Sequence, residues 1–319
     1  MGELLRIGVV GAGVFGGHHA AKCMAHPRVL LSGIHDADAA RARALAEKLS
    51  GQPGTGTRDR GTRGLEALGL EALVERSDAV IVACPASGHA ATALVALARA
   101  RHTMVEKPLA DGVAQGEAMV AAARAAGAVL QVGHQERFVA EAIGLHRVPE
   151  VPLRIRAWRD TLPGPRGRDV GVELDLMTHD IDLVLWLVGG EPRIVERTLH
   201  PGPDGRGDRA ELCLRFEHTE VRLEASRIAR MPRRVMELDY PSGRVRVDFN
   251  AKTLVHDTPF ALDAAFGNAP QARDSLGAAL DAFVRAVLDG ARVPVTGQDG
   301  LRAMRLALGE CGGTVRRKT

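Results

Sequence analysis

Short, mainly apolar runs punctuate the first part of the chain, at residues 7–10, 29–34, 79–83, 103–105 and 129–132. Runs without alternation predict strands buried on both faces. Between them lie Ala- and Leu-rich stretches with helical periodicity, near residues 17–25, 39–49, 65–76, 90–100 and 112–126. Strands alternating with helices predict a doubly wound parallel sheet, helices on both faces, over residues 1–133. The pattern then changes. Residues 153–158 alternate, and further strand-like runs at 193–199, 210–216, 220–226, 234–240 and 244–249 follow with no helix between them. One helix is expected over 173–186 and two more over 275–288 and 300–311. Residues 134–319 therefore read as a second α/β domain with an open, mostly antiparallel sheet. Its open face is expected to be covered by self-association, as a homodimer or homotetramer.

The first strand runs into Gly11-Ala12-Gly13-Val14-Phe15-Gly16 and then a helix. Alone, GxGxxG is a Gly-rich turn. Between a strand and a helix it aims backbone N–H groups and a helix N-terminus at a pyrophosphate. The second strand ends at Asp36, twenty residues past Gly16. An acid there suits the ribose hydroxyls of NAD and repels the 2′-phosphate of NADP. Asp36 could instead cap the helix at 39–49, a role also open to Asp38. His18 and His19 read as packing residues, and Ser87 as a helix cap. The glycine loop, Asp36, Cys84-Pro85 and Glu106-Lys107 all fall at strand carboxyl ends, where such sheets bind ligands. The residues expected against NAD are Gly11, Gly13, Val14, Phe15, Gly16, Asp36, Cys84, Pro85, His89, Glu106 and Lys107.

Lys107 is one of only five lysines in the chain, set after a strand and before Pro108. It is placed to hydrogen-bond a reacting oxygen. Asp175 and His179 stand four apart on the helix predicted over 173–186, hence on one face. Three readings are open for them: a histidine held by its own carboxylate for structure, a base oriented by a carboxylate, or a metal site with Asp180. No third strong ligand is evident in the sequence, so no metal is expected.

Composition narrows the class. A net charge of +3, with arginines interspersed among acids and only 3% aromatics, argues against nucleic acid as partner. No apolar run reaches the roughly 18 to 20 residues of a membrane span, so a cytoplasmic protein is expected. Cys23, Cys84, Cys213 and Cys311 lack metal-ligand spacing and read as reduced thiols.

Together, the glycine loop, Glu106-Lys107-Pro108 and the Asp175/His179 pair resemble the glucose-fructose oxidoreductase / inositol dehydrogenase (Gfo/Idh/MocA) family. The resemblance spans nearly the whole chain. It implies a Rossmann domain, NAD(P), an oligomerising sheet, a cis peptide before Pro108, and Lys107, Asp175 and His179 as the catalytic group. Within the family, residues 133–138, 168–182 and 225–227 are similar to dehydrogenases that oxidise C3 of UDP-N-acetylglucosamine for lipid A precursors. Val139-Ala140 and Thr178 depart from those enzymes, which usually carry Asn-Pro or Asp-Pro and Ile there. A nucleotide-sugar carries a diphosphate, which suits arginine forks. Arg137, Arg168 and Arg227 are the substrate-binding candidates.

Overall fold

The computed structural model describes residues 4–51, 65–164, 168–202 and 205–310. Cys311 lies outside these residues. The chain forms two compact units, one of Met1–Gly133 with Leu276–Leu301, the other of His134–Ser275 with Arg302–Thr319.

The first unit holds a five-stranded sheet ordered β2-β1-β3-β4-β5: β1 Leu5–Val10, β2 Val29–His35, β3 Ala79–Val82, β4 His102–Val105, β5 Leu130–Val132. Every pairing is parallel. After β1 the chain first adds β2 on one side, then crosses to place β3 on the other, so β1 and β3 flank the switch point. The strands are buried because both faces are covered; Ile7, Val9, Val80, Ile81 and Met104 are inaccessible.

Two expectations need correction here. The helix expected from residue 65 starts at Leu70. Residues 66–68 instead satisfy the edge of β2: Ile34 N–H donates to Glu66 O and Leu68 N–H to Ile34 O (3.0 and 2.9 Å). An edge strand presents unpaired backbone groups, and this segment takes them up. Second, the domain expected over 134–319 is interrupted by Leu276–Leu301. Gln131 Nε2 donates to Ala279 O (2.8 Å) and Val132 N–H to Val295 O (3.0 Å), which ties that segment to β5.

The second unit holds a seven-stranded sheet ordered β12-β11-β10-β6-β9-β8-β7. Its strands are β6 Arg154–Asp160, β7 Arg193–Pro201, β8 Gly207–Arg215, β9 Glu220–Ser226, β10 Arg233–Tyr240, β11 Gly243–Asp248 and β12 Thr253–His256. Pairings are antiparallel except β6 with β9. One face is apolar: Ile155, Ala157, Leu212, Leu223 and Leu238 are buried. The other carries cross-strand ion pairs such as Arg156–Glu237 (2.9 Å) and Arg222–Glu211 (3.0 Å). β12 and the helix Glu136–Ile143 were not anticipated from the sequence.

Candidate active site

The glycine loop is shaped by close approach. Gly11 has φ +103°, and a Cβ at Gly16 would lie 1.7 Å from Gly11 O, so neither position accepts a side chain. Gly13 differs: a Cβ there would meet no atom within 4 Å. It caps the helix Val14–Ala25, whose N-terminus has no side-chain cap. Open space before an uncapped N-terminus is a cradle for a pyrophosphate. Val14 and Phe15, in its first turn, are exposed. Asp36 accepts from Ala12 N–H (2.6 Å) and Asp38 N–H (2.9 Å), while Asp38 caps the next helix through Ala40 N–H (2.9 Å). The capping role thus belongs to Asp38, and Asp36 stands half-buried against the glycine loop. These residues fit NAD. Asp36→Ser is expected to weaken NAD by roughly 10- to 100-fold, the loss of charged hydrogen bonds, and to raise the relative use of NADP. Steady-state KM values for both cofactors check this.

The β3 and β4 ends lie on the same sheet edge. Cys84 is half-buried and Pro85 exposed. Ser87 makes no cap; the helix starts at His89 with no side-chain cap. His89, expected against the cofactor, is buried, with its ring nitrogens at Pro108 O (2.8 Å) and Cys84 O (2.9 Å). Residues 103–110 are buried apart from Lys107, which is half-exposed. The Lys107–Pro108 peptide is cis. Glu106 is buried and accepts from His19 Nε2 (2.8 Å). Burial alone would raise its pKa; the His19 hydrogen bond and the charges of His19, Lys107 and His89 outweigh it and hold the carboxyl below the usual range. His19 is therefore more than packing: it links the glycine-rich helix to the strand end that carries Lys107.

In the second unit, the expected single helix over 173–186 is a π-helical turn, Glu173–Met177, followed by an α-helix, Thr178–Val188. The Leu174 and Asp175 N–H groups both reach Gly171 O (3.1 and 2.9 Å), and the Thr178 hydroxyl donates to Leu174 O (2.8 Å). Such wide turns recur at functional sites. Asp175 and His179 are half-exposed, while Leu174, Met177, Thr178 and Asp180 are buried. The His134 ring packs edge-on against His179, centroids 5.9 Å apart.

The other acids of this helix have a different task. Asp180 takes a two-pronged bond from Arg159 (2.9 and 2.8 Å), and Arg159 also reaches Glu136 (3.1 Å). Burial works against the Arg159 charge, but Asp180 and Glu136 overcome it and raise its pKa further. Committed to Arg159, Asp180 is not a third ligand beside Asp175 and His179. Among the described residues, no group of three potential ligands surrounds a metal position. Arg159→Met would strand Asp180 as a buried charge. Removing one partner of such a pair is expected to cost about 3–5 kcal/mol, seen as a lower urea midpoint.

The expected substrate arginines divide. Arg137 forks onto Asp182 (2.7 and 2.6 Å), both buried. Arg227 is buried against Asp208 (3.0 Å) and donates to Val170 O and Gly207 O (2.9 and 2.6 Å). Arg168 is half-exposed and donates to Gly164 O (2.9 Å). Arg234 shares Glu136 with Arg159 (3.1 Å) yet keeps 39% of its side chain exposed. Arg159 had a readable signal: β6 alternation puts it on the core face with Ile155 and Ala157, where a charge needs a partner.

Comparison with known proteins agrees with this architecture. Residues 5–134 match a family model described as an oxidoreductase family with an NAD-binding Rossmann fold, and residues 150–249 match the GFO/IDH/MocA C-terminal domain. UDP-N-acetylglucosamine 3-dehydrogenase of Acidithiobacillus ferrooxidans is 32% identical over 316 residues, 95% of each chain. Its solved structure superposes with a TM-score of 0.82 over 96% of both chains, at 29% identity. Myo-inositol 2-dehydrogenase of Thermotoga maritima is 27% identical over 331 residues, 95% of this chain and 94% of that one.

Proposed function

From a chain that belongs to the GFO/IDH/MocA family of NAD-dependent dehydrogenases acting on CH–OH groups, we propose an enzyme that oxidises C3 of UDP-N-acetylglucosamine to the 3-keto sugar. Likeness to the Acidithiobacillus dehydrogenase along 95% of the chain carries this reading. Lys107, Asp175 and His179 form its catalytic group. The C3 hydroxyl donates its proton to a ring nitrogen of His179 as hydride leaves C3. Asp175 orients the imidazole and stabilises its charged form. Lys107 donates a hydrogen bond to the oxygen as it becomes a carbonyl. NAD, when bound, supplies the hydride acceptor. Since Arg137 and Arg227 are spent on internal carboxylates, Arg168 and Arg234 become the candidates for the diphosphate. The reading extends to a cytoplasmic homo-oligomer joined through the exposed sheet face and serving lipid A precursor synthesis.

A second reading, an inositol or free-sugar dehydrogenase, is favoured by the similarity to the Thermotoga enzyme. An NADH absorbance assay over UDP-sugars and polyols separates the two. Reduction with UDP-N-acetylglucosamine alone supports the first reading. Activity confined to unphosphorylated polyols supports the second. Bound NAD that no alcohol reduces would mark a non-catalytic binding protein.

A further inference from the structure

His89 begins the helix His89–Leu97, just beyond β3, and only 1% of the residue is exposed. Both ring nitrogens face backbone carbonyls: Nδ1 lies 2.8 Å from Pro108 O and Nε2 lies 2.9 Å from Cys84 O. A carbonyl oxygen can only accept. A neutral imidazole has one N–H and one bare lone pair. In either tautomer that lone pair would be pressed against an oxygen at under 3 Å, which is repulsive. The imidazolium, with two N–H groups, satisfies both contacts.

The surroundings can carry that charge. The buried carboxylate at the end of β4, Glu106, lies within the electrostatic reach of His89. His19, hydrogen-bonded to Glu106, and Lys107 also act on that carboxylate, and the Cys84 thiol packs its Sγ near Gly88. Glu106, whose carboxyl is held below the usual pKa range, supplies negative charge there.

The two carbonyls belong to separate strand ends. Cys84 leaves β3 at the switch point beside the glycine loop, and Pro108 follows Lys107 directly. We propose that His89 is a doubly protonated imidazolium strut that joins the β3 and β4 exits and so positions Lys107. It is a positioning residue, with no contact to substrate assigned to it. The strut rests on the catalytic reading of Lys107, but its protonation state does not.

The test therefore begins with a readout that needs no substrate. The full-length protein is labelled with ¹⁵N-histidine, and the His89 ring signals are assigned by their loss in His89→Gln. At pH 8.5, two units above the ordinary histidine pKa of about 6.5, both His89 nitrogens should show protonated-type shifts. A bare, pyridine-type nitrogen would overturn the proposal. In the kinetic arm, His89→Gln should lower kcat by roughly 10- to 100-fold, the scale of a misplaced catalytic group. The Kd for NADH, followed by fluorescence, should stay within about threefold, well under the tenfold that 1.4 kcal/mol represents. Unchanged kcat would overturn the positioning role. Weakened NADH binding in step with kcat would also overturn it, by making His89 a cofactor-binding residue. Failure of UDP-N-acetylglucosamine as substrate would leave the NMR result to decide the strut alone.

Discussion

His179→Ala is expected to lower kcat by roughly two to four decades, the range for a positioned acid–base group. KM should change much less, because the proton moves only as hydride leaves. His179 is half-exposed, and its neighbours Met177, Thr178 and Asp180 are buried and carry the packing. The variant should therefore fold with a near-native melting temperature. The pH profile of kcat/KM should lose the ionisation that a histidine places near neutrality. Asp175→Asn should have a smaller effect in the same direction, since it leaves the base in place but removes the charge that stabilises the imidazolium. A purely structural His179 would give the opposite split, with stability reduced and kcat near wild type.

Lys107→Ala should cost roughly two to three decades in kcat, as expected for loss of a hydrogen bond to a developing oxyanion. Burial of the strand end around it, and of Glu106 beside it, keeps the backbone in place when the side chain is removed. Lys107→Arg should restore little, because a planar guanidinium does not replace a compact ammonium. NADH affinity is the control: a lysine that only binds cofactor would change Kd, whereas an oxyanion partner changes kcat. The double variant His179→Ala/Lys107→Ala should fall well short of the product of the single losses, because groups acting on one oxygen are not additive.

What could be read from the sequence depends on the range of the signal. The parallel sheet was legible because its buried strands are mainly apolar runs, each followed within a few residues by a glycine, an acid or a proline. The antiparallel sheet was legible from alternation, and β9, Glu220–Ser226, matches the expected span. The helix Glu136–Ile143 also has a local signal: Gly144, left-handed at φ +92°, is the usual residue just past a helix end. Long-range pairs were harder. Nothing local tells that Arg137 folds onto Asp182 or Arg227 onto Asp208, since each partner is fixed by tertiary packing. In the helix expected over 173–186, Asp180 was open to a metal-ligand role beside Asp175 and His179, yet Asp180 and Asp182 neutralise buried arginines, whereas Asp175 is half-exposed, as is His179. The π turn was invisible because 3.6-residue periodicity averages over one inserted residue. The return of Leu276–Leu301 to the first unit is tied by bonds from Gln131 Nε2 and Val132 N–H of β5, which no composition change announces.

Hydride transfer from C3 is the central step of the proposed reaction. UDP-N-acetylglucosamine carrying deuterium at C3 alone should be incubated with NAD and the enzyme, and the reduced nicotinamide analysed by mass spectrometry. Transfer from C3 gives NADH one mass unit heavier, formed more slowly than with unlabelled sugar. Unlabelled NADH, or none, would contradict it.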